Sequence, residues 1–474
     1  MKVLFVLHDG VSHEPLGIEY LSSSLKAKGH RTRACMQSQV IDSISIWRPQ
    51  FVAFQVLTGD EGRWGGVASA IKEVFPSVKI IFGGPHFLFF SKVFQAEAEF
   101  VIRGDGEQSI VDVVEGRKHI DLLPIENLDS LPFPDRSILY NNTFPGIKNN
   151  VIRNVLATRG CIYKCSYCYN SSKEWQAMVG EGRKRLRSHS PEYMIEHIEK
   201  TFKDYGGELL SFQDDIFGID LKWLERFSRL YRRLNIPFFA QLRPYLITED
   251  RIKLLKEAGI HIVSFAIESG NPKTRKEILD RDEPNELIEK GCELLHRYGI
   301  KFRMQNLIGL PVDDPLEDAL ETLKFNIKCK PTLSWISMLQ AYPGTTIADY
   351  VIKKGLVKNM EELQFKVNAT FFEECSLPIK DKKKIERLQR YWSGVVRWPW
   401  LYDLVTKILI NIDFGNKFHL WIFEKIKKHI NQKEYWRIEK MERHISVKNQ
   451  QQLDRLGNEP GRVKKVIIEE KVCA

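Results

Sequence analysis

No stretch of 18 or more apolar residues occurs in this 474-residue chain, so hydropathy offers no membrane-spanning helix. Cysteine is sparse, eight in all, and five of them, Cys35, Cys292, Cys329, Cys375 and Cys473, stand singly. The N-terminal apolar run, Met1 to Leu7, is too short for a secretory h-region and breaks at His8-Asp9-Gly10. Unpaired cysteines without an export signal argue against a disulfide framework, and a reducing cytoplasm is the expected compartment. An acidic balance is missing too: 71 Lys and Arg outnumber 61 Asp and Glu, giving a formal charge of +10. Much of that excess falls in the last hundred residues, as in Lys380 to Arg390 and Lys425 to His429, with no recognisable nucleic-acid module around it. A solvated basic surface is the plain reading, an anionic substrate or membrane surface the sharper one, and no nucleic-acid partner is expected. At 43% hydrophobic and 28% charged residues, the chain has enough apolar material for two or three ordinary domains.

What is present is one compact cysteine run. Cys161, Cys165 and Cys168 occur in Arg159-Gly160-Cys161-Ile162-Tyr163-Lys164-Cys165-Ser166-Tyr167-Cys168. A structural zinc site wants four closed ligands, usually from two pairs, and no second pair exists. Thiolates are the usual ligands of iron–sulfur clusters, and a four-iron cluster takes four. Three protein ligands leave one iron open to a small molecule, which makes the site reactive. Zinc and ordinary buried cysteines are the competing readings.

Along residues 1–125, Val3–Leu7, Phe51–Leu57, Val78–Phe82 and Phe100–Ile102 read as buried strands, with helices predicted at Leu16–Lys28, Trp64–Phe75 and Phe90–Ala96. This alternation predicts an α/β, doubly wound parallel sheet, flavodoxin-like or Rossmann-like, with a ligand beyond the strands' carboxyl ends. The turns there are Thr58-Gly59, Gly83-Gly84-Pro85-His86 and Arg103-Gly104-Asp105-Gly106-Glu107. Residues 126–150, with Leu131-Pro132-Phe133-Pro134, read as a connector. Over residues 151–356 a second alternation begins, with strands predicted at 154–159, 208–214, 237–242, 261–268, 301–308 and 332–340. Helices are predicted at 191–205, 220–234, 248–258, 285–298, 315–329 and 345–355. Six such units make a partial (β/α)6 TIM-type barrel, whose functional residues belong at the strands' C-terminal ends. Residues 357–474 read as a helical, basic region. Its aromatic runs, Arg397 to Tyr402 and Phe418 to Phe423, are expected to cap the barrel, an interfacial membrane face or lipid-like groove being the alternative.

The cysteine run, the aromatic Tyr167 before its last cysteine and the preceding strand Asn154-Val155-Leu156-Ala157-Thr158 resemble the radical S-adenosylmethionine (radical SAM) superfamily. The N-terminal half is similar to the cobalamin-binding domain of one large subgroup, through His13-Glu14-Pro15-Leu16-Gly17, Gly83-Gly84-Pro85-His86 and Arg103-Gly104-Asp105-Gly106-Glu107. The Asp-x-His-x-x-Gly signature of other cobalamin proteins is absent, so the resemblance implies a corrinoid without a histidine below cobalt. A domain that keeps the fold and binds no cofactor is the competing reading. The cofactors implied are a [4Fe–4S] cluster held by Cys161, Cys165 and Cys168, S-adenosylmethionine (SAM) and cobalamin. The implied cobalamin contacts are His13, Thr58, Gly59, Gly83, Gly84, Arg103, Gly104, Asp105, Gly106 and Glu107.

At the barrel ends, Gly206-Gly207-Glu208 begins the second strand, the wrong end for the family's amino-group contact. The resemblance assigns that contact to Gln213, Asp214 and Asp215, with a helix N-cap as the bland reading of Asp215. Arg243 is expected to pair with the SAM carboxylate, or else to form a structural ion pair. Glu268, in an element like the family's Gly-Ile-Glu-Ser, is expected to accept from the ribose hydroxyls or to meet Arg243. Asn306 and the backbone of Tyr167 are expected near adenine. The resemblance implies cleavage of SAM to a 5′-deoxyadenosyl radical and an external one-electron donor such as flavodoxin or ferredoxin. Methylation of an unactivated carbon in a small-molecule or lipid-like substrate, bound between the two domains, is the favoured outcome. Chemistry of the anaerobic magnesium-porphyrin cyclase type is the runner-up, and a tRNA methylthiotransferase the most distant. That last type carries three more cluster cysteines in its first domain, where this chain has Cys35 alone.

Overall fold

Alternate residues of the first apolar run serve different cores. In strand β1 (Lys2–Leu7), Val3, Phe5 and Leu7 pack with Ile18, Leu25 and Ile110, while Leu4 and Val6 pack with Val40, Ile44 and Trp64. A strand covered on both faces needs a continuous apolar run, which is why it reads without alternation. The computed structural model describes residues 1–89, 98–119, 122, 124–180, 184–367, 374–413, 418–422 and 424–425. They divide into two compact units, one over Met1–Val151 and one beginning at Ile152.

The first unit adds β2 (Arg31–Met36), β3 (Phe51–Gln55), β4 (Lys79–Gly83) and β5 (Phe100–Val101) in the order β2-β1-β3-β4-β5, with every pair parallel. That order is flavodoxin-like and puts the topological switch between β1 and β3. Helices Leu16–Ala27, Val40–Trp47, Glu61–Val74 and Gly106–Val114 cover its faces. The sequence reading contains neither β2 nor Val40–Trp47. β2 is an edge strand whose Arg31 and Arg33 face solvent, so it lacks the buried-strand pattern. The helix predicted at Phe90–Ala96 lies outside the described residues. Leu139, Phe144 and Ile147 of the stretch 126–150 are buried in the core under β1.

The second unit holds β6 (Ile152–Val155), a short antiparallel pair β7 (Thr158–Arg159) and β8 (Arg187–Ser188), then β9 (Leu209–Phe212), β10 (Phe238–Leu242), β11 (Ile260–Glu268), β12 (Lys301–Ile308) and β13 (Leu333–Met338). Its six-stranded parallel sheet runs β13-β12-β11-β10-β9-β6, each strand beside the next in the chain, as in an open barrel. Helices Pro191–Tyr205, Leu221–Tyr231, Glu249–Ala258, Asn285–Arg297 and Pro315–Cys329 follow the strands. Side chains of Ser190, Asp220 and Asp314 accept backbone N–H groups at three of their starts.

The predicted first strand, 154–159, divides in two. The Asp214 carboxylate accepts from Ala157 N at 3.1 Å and Thr158 Oγ1 at 2.5 Å, and the chain leaves the sheet there to pair with β8. Helix Lys382–Arg397 packs on β13, where Trp392 Nε1 donates to Ser334 Oγ at 2.7 Å, and covers the sheet's last strand. Of the C-terminal aromatic runs, Leu401, Tyr402 and Ile422 pack on this core, whereas Trp400 is 77% exposed and Trp421 58%. Among the described residues no helix is long and apolar enough to cross a membrane.

Candidate active site

The cysteine loop leaves β7 through Gly160, whose φ of +88° suits glycine; a Cβ there would come within 2.2 Å of the Arg185 carbonyl oxygen. Ser166 fastens the loop to segments that follow two other strands, β11 and β13. Its N–H and Oγ donate to the carbonyls of Leu279 (3.1 Å) and Ile278 (2.6 Å), and its own carbonyl accepts from Ile347 N at 2.9 Å. All three thiols are free of disulfides. Arg243 Nη1 donates to Cys165 Sγ at 3.2 Å and Asn170 Nδ2 to Cys168 Sγ at 3.5 Å. Burial, with Asp215 nearby, pushes the Cys161 and Cys168 thiols up, the latter to about 12.

Behind the thiols lies a buried network of arginine and glutamate side chains. Arg243 lies over the Tyr163 ring, 3.7 Å from its centroid, and its Nε donates to Glu283 Oε1 at 2.5 Å. Arg281 donates through Nε to Glu283 Oε2 at 3.0 Å, through Nη1 to Tyr167 OH at 3.0 Å and through Nη2 to the Ala266 carbonyl at 2.5 Å. Tyr167 OH in turn donates to Glu268 Oε1 at 2.6 Å. Two arginines and two glutamates thus satisfy one another out of water, the condition under which buried charges are tolerated. Glu268 closes β11 with φ +67°, in the left-handed region that disfavours a side chain, next to a bulge in the β11–β12 pairing.

The predicted SAM contacts separate into two groups. Tyr167, Arg243, Glu268 and Asp215 are gathered around the loop; Asp215 accepts from Tyr169 OH and from Asn170 Nδ2 at 3.3 Å. Gln213 lies exposed at the end of β9, with Nε2 on Asn154 Oδ1 (3.0 Å) and Ser211 Oγ (2.8 Å). Asp214 is instead spent on Ala157 and Thr158, and burial raises its carboxyl to about 7. Asn306 faces the helix layer, bonded to Asn326, Ser334 and the Trp335 carbonyl. Arg281 and Glu283 are absent from the sequence reading because Arg281-Asp282-Glu283 looks like a solvated loop.

At the C-terminal edge of the first sheet, the turns after β3 and β4 are joined by Val56 N to Gly83 O (2.8 Å) and His86 N to Val56 O (3.2 Å). Gly84 has φ +107°, and a Cβ on it would strike Val56 O at 2.7 Å. Thr58 Oγ1 meets His86 Nδ1 at 3.4 Å, and His8, just after β1, meets Asp60 at 3.0 Å. Burial lowers the affinity of His86 for a proton. Thr58, Gly59, Gly83, Gly84 and the exposed His13 therefore share one sheet edge. Arg103 and Asp105 are engaged internally, with the Phe87 carbonyl (3.0 Å) and Ile125 N (2.8 Å); Gly104 takes φ +83°, and Gly106 and Glu107 open the following helix. His8, Asp60 and His86 were not among the predicted contacts, although polar residues directly after parallel strands are the available signal.

The B12 binding domain model matches residues 3–114, and the radical SAM superfamily model matches residues 155–325. The chain thus carries a radical SAM domain preceded by a B12-binding domain. An uncharacterized methyltransferase of Pyrococcus horikoshii is 26% identical over 404 residues, 76% of this chain and 85% of the relative. The anaerobic magnesium-protoporphyrin IX monomethyl ester cyclase of Rubrivivax gelatinosus is 24% identical over 416 residues, 77% and 72% of the two chains. Among solved structures, the radical SAM methyltransferase TsrM from Kitasatospora setae, with tryptophan and a SAM analogue bound, shares the fold. Its TM-score is 0.61 at 16% identity, covering 74% of this chain and 76% of that one.

The radical SAM domain implies a [4Fe–4S] cluster and SAM, and the B12-binding domain implies cobalamin. The donor set suits the cluster: three free thiols in one tethered loop, with an arginine and an asparagine donating to two of the sulfurs, as such clusters use to set their potential. Among the described residues no three His, Cys, Asp or Glu side chains converge on a single-ion site. The B12-binding edge suits a bulky planar ligand through glycines and backbone in the turns that follow β3 and β4.

Proposed function

We propose that this radical SAM protein is a cobalamin-dependent methyltransferase that adds a methyl group to an unactivated carbon of a small or lipid-like molecule. The observation that carries the reading is the pairing, in one chain, of a B12-binding sheet with a three-thiol loop fastened across a barrel's strand ends. The name of the 26% identical relative supports methyl transfer. When bound, the cluster and cobalamin would supply one-electron cleavage of SAM to a 5′-deoxyadenosyl radical and a transferable methyl group.

Within that reading the chain's own groups position and shield. Cys161, Cys165 and Cys168 hold three corners of the cluster. Arg243 donates to the Cys165 sulfur, and its Nη2, which has no acceptor among the described residues, would meet the SAM carboxylate. Gln213 and Asp215 would receive the SAM ammonium, and Tyr167 holds Glu268 in place at the end of β11. Thr58, Gly59, Gly83 and Gly84 would lie against the corrinoid, with His13 at the same edge. An external flavodoxin or ferredoxin would supply the electron.

Cyclisation of the magnesium-porphyrin type is the second reading, supported by the cyclase relative. Incubating the cofactor-loaded protein with reductant, trideuteromethyl-labelled SAM and the host's small-molecule extract separates the two. Methyl transfer predicts a deuterated methyl product with S-adenosylhomocysteine and 5′-deoxyadenosine in similar amounts. Formation of 5′-deoxyadenosine alone, with an unmethylated product, would reject methylation.

A further inference from the structure

Burial alternates along β12: Phe302, Met304, Asn306 and Ile308 are buried toward the helices, and Arg303, Gln305 and Leu307 are half-buried on the concave face. Arg303 there lies 4.7 Å from the ring centroid of Phe239 on β10 and 5.3 Å from that of Trp335 on β13. Its Nε donates to Ser264 Oγ on β11 at 3.0 Å. Four adjacent strands therefore fix one guanidinium over the barrel's interior.

What distinguishes this arginine from the other buried or half-buried ones of the barrel is that, among the described residues, neither of its Nη atoms has an acceptor. Arg243 and Arg281 share Glu283, Arg275 donates to the carbonyls of Ser269 and Glu283, and Arg153 donates to those of Tyr205 and Gly206. Among the described residues Arg303 has no carboxylate partner, and neither Nη atom bonds to protein. Aromatic rings hold a guanidinium plane without neutralising it, and a half-buried cation is costly until an anion completes it. With Nε anchored, the Nη edge is presented as a fork that matches a carboxylate or phosphate. Gln241 and Gln305, bonded at 3.3 Å, add neutral polar groups on the same face.

We propose that Arg303, Phe239 and Trp335 form a substrate subsite that binds the carboxylate or phosphate of a molecule whose flat apolar body lies against the two rings. This rests on the reading that the barrel acts on a small organic substrate, and it narrows that substrate to an anion. The test is calorimetric titration of the full-length, cofactor-loaded protein, without reductant and with SAM saturating. The probes are 2-naphthoate, 2-naphthyl phosphate and the neutral 2-naphthalenemethanol.

One anionic probe should bind at least tenfold more tightly than the alcohol, its identity distinguishing carboxylate from phosphate. Arg303→Met should lose at least tenfold of that affinity and Arg303→Lys less. If Arg303→Met fails to give the wild-type circular dichroism, Trp335→Leu carries the test, with an expected loss of about threefold. Equal binding of anion and alcohol overturns the proposal, as does wild-type affinity in a folded Arg303→Met or Trp335→Leu. Anion binding that appears only when SAM is omitted also overturns it, by giving the guanidinium to SAM. Failure of the methyl-transfer reading would appear separately, as anion binding retained without transfer of the labelled methyl.

Discussion

Around the barrel's cysteine loop, Arg243, Arg281, Glu268 and Glu283 are buried and, with the half-buried Tyr167, spent on one another; along the edge of the flavodoxin-like sheet stand glycines, a threonine, His8 and His13 that stay partly open, together with the buried His86. The first arrangement fixes side-chain charges before any cofactor arrives. Such a network costs desolvation and repays it only when every member is paired, so it specifies one geometry. The second works through backbone shape. The turns at Gly59 and Gly84 take φ of +97° and +107° and leave room at the edge. The loop proposed to hold a small reactive cluster is thus braced by charge, and the edge proposed to take a large flat ligand is shaped by missing side chains.

Substitutions at the two edges should therefore fail in different ways. The largest effect is expected at the loop. Cys161→Ala, Cys165→Ala or Cys168→Ala should abolish 5′-deoxyadenosine formation while the protein stays soluble and keeps its corrinoid. Chromatographic quantification of 5′-deoxyadenosine checks this, and retained cleavage would contradict the ligand assignment. At the sheet edge, Gly84→Ala introduces a Cβ against Val56 at a positive φ, a strain of about 1–3 kcal/mol. It should lower the thermal midpoint of the first unit and reduce bound corrinoid, read by absorbance, while the iron content stays at the wild-type value. Equal loss of iron and corrinoid would deny that the two edges are independent.

The smallest effect concerns Asp214, whose carboxyl burial raises from its ordinary value of 3.8 to about 7. A pKa raised by folding means the native state holds the proton more tightly than the unfolded chain. Its stabilisation is complete below about pH 4 and is lost as pH rises through 7. The advantage of wild type over Asp214→Asn in thermal midpoint should therefore shrink between pH 5 and 8. An advantage that grows with pH would show that the carboxylate is the favoured form.

Legibility in the sequence follows the same division. The βα alternation from β9 to β13 was readable to within two residues at nearly every boundary, because each strand is buried and each helix is amphipathic. The edge strand β2 was not, its exposed arginines hiding it, nor was helix Gly106–Val114, whose glycine start reads as a turn. The cysteine trio is legible because its spacing is local. The Arg243–Glu283 pair is not, since forty residues separate the partners and nothing local marks Glu283 as buried. Asn306 illustrates the opposite error: a polar residue near a strand's end can face the helices and serve packing.

The central claim, a four-iron cluster with one open corner in the loop Cys161–Cys168, is tested most directly by anoxic reconstitution followed by iron and sulfide analysis and electron paramagnetic resonance of the reduced protein. The account predicts about four irons and four sulfides per chain and a reduced-cluster signal that changes when SAM is added. A zinc-loaded or iron-free protein, or a cluster signal indifferent to SAM, would contradict it.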